Sequence, residues 1–366
     1  MLKLDGSYLE GGGSIARIAL ALSTITQKPF EIENIRKNRP QAGLKSQHLF
    51  CIKALEQLCS AKAEGAFLGS QGLKYTPGKI QAKDIEIDIQ TSGSISLFLQ
   101  SVLMPLMFAN KASKIKIIGG TSGKWAAPIE YFKEVFLPQI QKYVKIDLKL
   151  IKRGYYPKGN GIVELKINPI YKMQDFKDFD EFHNKLKNNQ NEINLMEQGH
   201  LIQIKGVSHA SKDLQNAQVA ERQAKAAETI LKNKFNCRVS IQEEYSEALS
   251  TGSGITLWAI FSLDKDEIDD KNPIRLGADS LGERGKKAED VGKEAAFSLI
   301  NEIESKAPAD RHLTDQILPF IALFGGRIKA SKITNKLGLV FVLSPAYLLE
   351  KVYYTVDCFI VRITSR

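Results

Sequence analysis

The stretch Ile85-Glu-Ile-Asp-Ile89, followed by Thr91-Ser-Gly-Ser94 and an apolar run from Ile95 to Phe108, decides the fold class of this chain. Apolar and acidic side chains alternate in the first segment, which is typical of a β-strand with one buried face. The glycine turn then leads into an apolar run that predicts a buried helix. The stretch is therefore a β-α unit.

The same order of strand, glycine turn and helix occurs at residues 2–25 and again at residues 273–303. Chance recurrence is the alternative explanation, because this order is common in proteins. We nevertheless predict an α/β (α+β) fold whose core consists of three repeated β-α modules.

A different pattern interrupts these units. Residues 171–198 are charged and rich in Asn and Lys, which indicates a linker and a surface helix. Residues 201–263 then read as β-α-β-β, a block that can fold by itself. We predict a core formed by residues 1–180 and 280–366, with an inserted small α/β domain at residues 181–279.

The composition indicates a globular protein whose charge favours binding of polyanions. Of the 366 residues, 43% are hydrophobic and 25% are charged, and no apolar run is long enough to span a membrane. We therefore expect a cytoplasmic protein without a membrane partner. Its formal charge of +10 favours RNA or nucleotides as partners, although lysine-rich surfaces also serve solubility. The cysteines and histidines show no metal-binding spacing.

Basic and amide side chains follow two glycine-containing turns near the N-terminus. Consecutive glycines at 11–13 precede a helix, where backbone N–H groups can point at an anion. A loop with two arginines then leads into a helix that starts with an amide and an imidazole. These groups could hold a phosphate from two sides, or they could form a solvated basic loop. The candidates are Arg17, Arg36, Arg39, Gln47 and His48.

Three further segments carry candidate functional groups. Gln100 is a lone amide in an apolar run and must bond to the backbone or to a ligand. Residues 310–316 place acidic, imidazole and amide groups before an apolar segment, as expected for a cleft wall or for an ordinary helix start. Tyr155 and Tyr156, between Arg153 and Lys158, suit base stacking and equally suit a packed hairpin.

Taken together, these motifs resemble the RNA 3'-terminal phosphate cyclase family. The agreement keeps the same order from residue 4 to residue 326. The matching segments are Asp5-Gly6-Ser7-x-x-Glu10-Gly-Gly-Gly13 with Arg17, Arg36-x-x-Arg39, Gly43-Leu44-x-x-Gln47-His48-Leu49, Gly69-Ser70 with Pro77-Gly78, Ser92-Gly93-Ser94 to Gln100, Gly119-Gly120-Thr121, Arg153-Gly-x-Tyr156-Pro-Lys-Gly159, Val219-Ala-Glu-Arg-Gln223, Gly282-Glu-Arg-Gly-Lys286-x-Ala-Glu-x-Val-Gly292 and Asp310-x-His312-Leu-x-Asp315-Gln316.

The resemblance implies ATP-dependent conversion of an RNA 3'-phosphate to a 2',3'-cyclic phosphate through adenylated intermediates, with Mg²⁺ or Mn²⁺. Its partners would be ATP and RNA 3'-phosphate ends. Glu10 would lie near the metal, and the five candidates from Arg17 to His48 would hold phosphates of ATP or RNA. The nucleotide would contact Gln100, His312, Leu313, Thr314, Asp315 and Gln316.

One position departs from the family pattern. The family's nucleophilic histidine is expected about twenty residues after the Asp-Gln motif, and Lys336 stands there in this chain. Lys336 could itself be the nucleophile, since an amine with a lowered pKa attacks phosphorus. Alternatively, the protein resembles catalytically lapsed, RNA-binding relatives of the ribosome-biogenesis type. The enolpyruvyl transferase architecture has similar repeats, but its motifs are not the ones found here.

Overall fold

The computed structural model describes residues 1–8, 12–187, 192–264, 268–269, 273–332, 351–355 and 360–364. Helices and strands are mixed along this part of the chain, and the described strands form four sheets of four strands each. The predicted α/β class is therefore confirmed.

The first two sheets have the same strand order and the same strand directions. Two neighbouring strands are parallel, and the remaining pairs are antiparallel, so each sheet joins a β-α-β crossover to a hairpin. The first sheet has the order β1-β2-β4-β3, with β1 Leu2–Asp5, β2 Phe30–Glu33, β3 Lys62–Glu64 and β4 Leu73–Thr76. The second has the order β5-β6-β8-β7, with β5 Ile85–Asp88, β6 Ser113–Gly119, β7 Val144–Lys152 and β8 Gly161–Pro169.

Four helices connect the strands of these two sheets. They are α1 Ser14–Thr26, α2 Ser46–Cys59, α3 Ile95–Met107 and the short α4 Ile129–Tyr131, which continues as irregular helix to residue 140. Almost every side chain of α1 and α3 is buried, and the two helices pack on each other. Their apolar residues form a shared core, since each buried aliphatic side chain contributes about 1.5–3 kcal/mol.

A third sheet repeats the same order with strands that are far apart in the chain. Its parallel pair joins a strand near residue 194 to one near residue 328, directly after a buried helix. Helix α5 Phe179–Lys187 packs against that helix. The order is β15-β16-β14-β9, with β9 Ile193–Leu195, helix α8 Arg311–Phe324, β14 Gly326–Lys329, β15 Lys351–Thr355 and β16 Ile360–Thr364.

The fourth sheet lies in the chain between β9 and α8, and it changes one prediction. The unit at 273–303 belongs to this sheet, because its strand pairs antiparallel with the neighbouring one. Local pattern predicted its strand and helix correctly, but the unit is not a third copy of the module in the first two sheets, where the corresponding strands pair in parallel. The order is β11-β10-β12-β13, with β10 His200–Ser211, α6 Val219–Lys234, β11 Arg238–Ser246, β12 Ser253–Ser262, β13 Ile274–Leu281 and α7 Ala288–Glu304.

The predicted boundary after residue 279 would therefore cut β13 near its end. The division of the chain into domains stays a prediction.

The described helices are too short or too polar to cross a bilayer. Helix α8, one of the more apolar ones, has 14 residues and is about 21 Å long.

Candidate active site

Three helices bring the side chains of Arg17, His48 and Gln100 together inside the protein. The Nε of Arg17 donates to Oε1 of Gln100 over 3.1 Å, and its Nη1 lies 3.3 Å from Nε2 of His48. Arg17 and His48 stand in the first turns of α1 and α2, and Gln100 stands in the second turn of α3. Because helix N-termini carry partial positive charge, this location favours anions.

Arg17 is a cation buried inside the protein. Its residue surface is 6% exposed, and it forms no ion pair with a carboxylate of the described ranges. Burial is the main cause of a lowered pKa of Arg17, at about 10, and the charge of Arg36 acts in the same direction. An uncompensated buried charge is costly, so an anion bound here would offset that cost.

His48 presents a second donor to the same point. The backbone N–H of Lys45 donates to Nδ1 of His48 over 2.9 Å. Burial, followed by the charge of Arg17, holds the pKa of His48 well below its usual 6.5, so the ring is neutral. The single ring proton must therefore be on Nε2, which faces Nη1 of Arg17. Two N–H donors that face each other are suited to sharing a phosphate oxygen.

The glycine turn before α1 covers this pair of donors. A Cβ atom on Gly13 would lie 2.2 Å from Nε2 of His48 and 3.0 Å from Nη1 of Arg17. A Cβ on Gly12 would lie 3.5 Å from Nη2 of Arg39. Gly13 has an ordinary helical conformation, with φ of −75°, so its glycine is required by close approach and not by backbone strain.

The loop after β2 places two more arginines beside the turn. Arg36 donates from Nη2 to the carbonyl of Gln41 over 3.4 Å, and its buried Nε has no hydrogen-bond partner in the described structure. Burial, then the charge of Arg39, lowers the pKa of Arg36. The N–H of Arg39 donates to the carbonyl of Arg36 over 3.0 Å, which ties both residues into one turn. Arg39 is exposed, whereas Arg36 is half-buried, so the solvated-loop alternative does not describe Arg36.

Gln47 stands apart from this cluster. Its Cβ would be 3.4 Å from a Cβ built on Gly93, so Gln47 lies against the glycine turn before α3. That turn caps α3, because Oγ of Ser94 accepts from the N–H of Leu97 over 3.2 Å. Gln47 therefore lies next to the start of α3, and its chain neighbour His48 belongs with Arg17 and Gln100 to the group named here the Arg17 cluster.

A cleft of about 40 Å³ adjoins Arg17 and Gln100 on the side of α8. Asp315 and Gln316 line its far wall, and Oε1 of Gln316 is buried without a hydrogen-bond partner among the described residues. The structure thus brings four predicted site residues to one cleft. Its other walls are mostly apolar, from Ser14, Ile18, Ala21, Leu22, Leu99, Leu103, Met104, Phe132, Phe136, Pro319 and Phe320.

The remaining predicted residues of α8 have different positions. Leu313 and Thr314 are buried in the helix, and Oγ1 of Thr314 donates to the carbonyl of Asp310 over 2.8 Å. Neither side chain lines the cleft. His312 is half-buried, and its ring meets the ring of Tyr131 edge-on with 5.9 Å between centroids.

Residues 310–316 form both a helix start and part of a cleft wall, because Asp310 caps α8 whereas Asp315 and Gln316 line the cleft. Oδ1 of Asp310 accepts from the N–H groups of His312 and Leu313 over 2.8 and 2.9 Å, as an N-cap does. The hydroxyl of Tyr131 donates to the same oxygen over 2.7 Å, and the N–H of Gly277 donates to Oδ2 over 2.8 Å. Asp310 thus fixes α8 to the helix at residue 131 and to β13.

Sequence reasoning missed the aromatic residues of the cleft. Phe132 and Phe136 line it, yet they precede the second sheet's hairpin and belong to no matched motif. Their spacing of four residues on a helix was the available signal, and it indicates only a shared face. Tyr131, whose hydroxyl donates to Asp310, was also missed because it belongs to no matched motif.

Arg153, which precedes the two tyrosines considered for base stacking, pairs with carboxylates. Its Nη1 lies 2.6 Å from Glu130, and its Nη2 donates to Glu244 over 2.5 Å. Tyr155 is buried and bonds through its hydroxyl to Nδ1 of His209 over 2.9 Å, whereas Tyr156 is exposed. One tyrosine therefore follows the packed-hairpin alternative, and the other is available to a ligand.

Two predicted residues lie outside the described residues. They are Glu10, the predicted metal ligand, and Lys336, the predicted nucleophile. Both roles stay predictions.

Comparison with known proteins shows the family to which the chain belongs. The profile of the RNA 3'-terminal phosphate cyclase family, RTC, matches residues 8–341. The RNA 3'-terminal phosphate cyclase of Pyrococcus furiosus is 41% identical over 338 residues, covering 92% of this chain and 90% of that protein. The one from Sulfurisphaera tokodaii is 41% identical with the same coverage, and the one from Archaeoglobus fulgidus is 40% identical over 89% of both chains. The chain therefore belongs to the RNA 3'-terminal phosphate cyclase family.

Proposed function

We propose that this protein converts RNA 3'-phosphate ends to 2',3'-cyclic phosphates at the expense of ATP. The single observation that carries the proposal is the buried Arg17, which lacks a carboxylate partner within the described structure and faces the Nε2–H donor of His48. Nothing in folding requires these two donors to face each other, whereas a phosphate oxygen between them satisfies both.

The nucleotide of ATP would occupy the cleft beside Arg17, whose walls must move apart to admit a base, because the cleft holds only about 40 Å³. It is apolar with a few polar groups, which is typical of a site for a flat base. The unsatisfied Oε1 of Gln316 would accept from an exocyclic amino group such as that of adenine. Gln100 and Asp315 supply further polar atoms, and His312 lies at the start of α8. Leu313 and Thr314 would act by holding that helix in place.

Arg17, Arg36, Arg39 and His48 would hold phosphate oxygens, with Gln47 next to the start of α3. Mg²⁺ or Mn²⁺ would be held by Glu10 and by phosphate oxygens, since Mg²⁺ is usually bound through one or two carboxylates and the substrate. The chain fits this arrangement, because Glu10 precedes Ser14, which lines the cleft, by four residues. The metal would neutralise the phosphates' charge.

The chemistry would proceed in three displacements. The neutral amine of Lys336 attacks the α-phosphorus of ATP; a P–N bond forms, pyrophosphate leaves, and the nitrogen loses a proton. An oxygen of the RNA 3'-phosphate then attacks the same phosphorus, and the nitrogen leaves with a proton. Finally the 2'-hydroxyl oxygen attacks the RNA phosphorus, AMP leaves, and the hydroxyl proton is released. Adenylation is needed because a free phosphate monoester offers no good leaving group.

The experiment is to incubate the protein with α-labelled ATP and Mg²⁺ or Mn²⁺, with and without an RNA oligonucleotide that ends in a 3'-phosphate. We expect label on the denatured protein that disappears as cyclic phosphate forms, and Lys336→Ala should lose that label while still binding ATP. Lys336→Arg is the matched control, because it keeps the charge but is not a nucleophile at neutral pH.

A second outcome would identify the catalytically lapsed alternative, which the replacement of the family's histidine by Lys336 motivates. In that case neither label nor cyclic phosphate would appear, although RNA with a 3'-phosphate would still bind more tightly than RNA with a 3'-hydroxyl. The proposal of a cyclase would then be refuted, and the Arg17 cluster would serve recognition of RNA ends alone.

A further inference from the structure

Trp125 is a large aromatic side chain held out into solvent. It is 87% exposed, although an indole of this size is usually largely buried. Its turn is closed by the N–H of Ala126, which donates to the carbonyl of Gly123 over 3.2 Å, so Lys124 and Trp125 form the tip. A tryptophan at the tip of a closed turn is presented for contact with something else.

A second turn has the same composition at its tip. The N–H of Gly159 donates to the carbonyl of Tyr155 over 2.8 Å, which leaves Tyr156, Pro157 and Lys158 at the tip. Tyr156 is 77% exposed, and the N–H of Lys158 donates to Oγ of Ser250 over 3.1 Å. Each turn therefore offers one aromatic ring and one lysine.

The two turns are fixed to each other. The N–H of Thr121 donates to the carbonyl of Gly154 over 3.0 Å, and the N–H of Gly154 donates back to Oγ1 of Thr121 over 3.1 Å. Thr121 precedes the first turn by two residues, and Gly154 directly precedes the second. Because the backbones of the two turns are held together, less conformational entropy is lost when a ligand stacks on the rings.

Both turns also adjoin the start of α3, on which Gln100 lies. Oγ of Ser96 donates to the carbonyl of Ala127 over 2.6 Å, and a Cβ on Gly159 would lie 2.6 Å from the carbonyl oxygen of Thr91. From Ser94 to Gln100 the helix rises only about 9 Å. A strand whose terminal phosphate lies at the Arg17 cluster can therefore pass over these turns.

The charges around the rings favour a polyanion. Lys124, Lys158 and Arg284 are exposed. Lys124 contacts Glu283 over 3.2 Å, but both side chains are more than half exposed, so this pair is weak and easily exchanged. Exposed aromatic rings interleaved with basic side chains are the features that bind single-stranded nucleic acid.

We propose that Trp125 and Tyr156 form a stacking subsite for bases of the RNA strand that precede the terminal phosphate, with Lys124 and Lys158 on its backbone. This inference rests on the proposed function, since it takes RNA as the substrate. Stacking is tolerant of sequence, so the subsite selects a single strand of sufficient length and not a particular base.

The two tryptophans of the chain make the test direct, because Trp258 is only 6% exposed and Trp125 is solvated. Titration with a single-stranded hexanucleotide 3'-phosphate should quench the exposed tryptophan, and Trp125→Phe should lose that signal while keeping affinity. Trp125→Ala and Tyr156→Ala should each weaken binding of the hexanucleotide about tenfold. Neither should change binding of a nucleoside 3'-monophosphate. Phe297→Ala, which removes another exposed ring on α7, is the matched control.

The outcomes separate this inference from the proposed function. If the wild type binds and quenches but forms no cyclic phosphate, the subsite stands and the cyclase proposal fails. If the wild type cyclises but Trp125→Ala binds the hexanucleotide as the wild type does, the subsite is refuted. Quenching by ATP alone, without RNA, would also overturn it by assigning Trp125 to the nucleotide.

Discussion

Replacing the buried Arg17 by methionine should abolish phosphate binding without weakening the fold. Burial is the main cause that lowers the pKa of Arg17 from its ordinary value to about 10. At about 1.4 kcal/mol for each pKa unit, burying the charged side chain without a bound anion lowers the free energy of unfolding by about 3 kcal/mol. Methionine removes this cost and also removes the hydrogen bond to Gln100, which contributes about 2 kcal/mol. The expected net change is a gain of about 1 kcal/mol.

Arg153→Met is the matched control, since it makes the same substitution at another buried arginine. The Arg153 side chain is 3% exposed and lies 2.6 Å from Glu130, whose side chain is 8% exposed. Removing the guanidinium leaves that carboxylate buried and unpaired, which should cost about 3–5 kcal/mol. The two variants should therefore change stability in opposite directions.

Urea unfolding of both variants gives the stabilities, and repetition with added pyrophosphate reports the anion site. Pyrophosphate should raise the unfolding midpoint of the wild type and of Arg153→Met, but not of Arg17→Met. A loss of about 2 kcal/mol or more in Arg17→Met, with unchanged binding of a 3'-phosphorylated oligonucleotide, would show that Arg17 is structural and would refute the reasoning.

Three further variants test the neighbouring groups. Gly13→Ala should lower cyclisation at least about tenfold, because the new Cβ displaces His48, whereas Gly72→Ala, with 3.9 Å of clearance, should be neutral in the same assay. Burial depresses the pKa of His48, so below pH 6.5 only the unfolded chain binds a proton at this residue, and the free energy of unfolding decreases by up to about 1.4 kcal/mol for each pH unit of acidification. His48→Gln should remove this contribution and make the urea midpoint less dependent on pH between about pH 5 and 7. Gln316→Leu should weaken ATP binding about tenfold by removing the buried acceptor, and an unchanged dissociation constant in calorimetry would contradict this.

The strands and helices were largely readable from the sequence, because hydrophobic period and glycine turns are local signals. The sequence did not reveal how these strands pair to form the sheets. β13 and α7 have the same strand, turn and helix pattern as the units of the first two sheets, yet β13 pairs with β12. The third repeat instead joins β9 to β14, which more than a hundred residues separate in the chain. Pairing over such a distance depends on packing that no short stretch encodes.

The candidate site shows the same division. Sequence motifs pointed to Arg17, Gln100 and Gln316, and the structure brings them to one cleft. Within α8, however, Leu313 and Thr314 turn into the core, because a helix directs only part of its circumference to a cleft. The phenylalanines at 132 and 136 escaped notice, since apolar residues at helical spacing are far more often simple core.

Arg17 and Arg153 show why residue type alone does not reveal a function. Both arginines are buried, and both stand in segments that match the family motifs. What separates them is the distance to a carboxylate, which is 2.6 Å for Arg153 and beyond ion-pair range for Arg17 among the described residues. A protein that only needed to fold would gain by pairing or removing Arg17, because an unpaired buried charge opposes folding. The same cost would become binding energy once a phosphate supplied the missing charge, so we expect the substrate's anion to bind at this position.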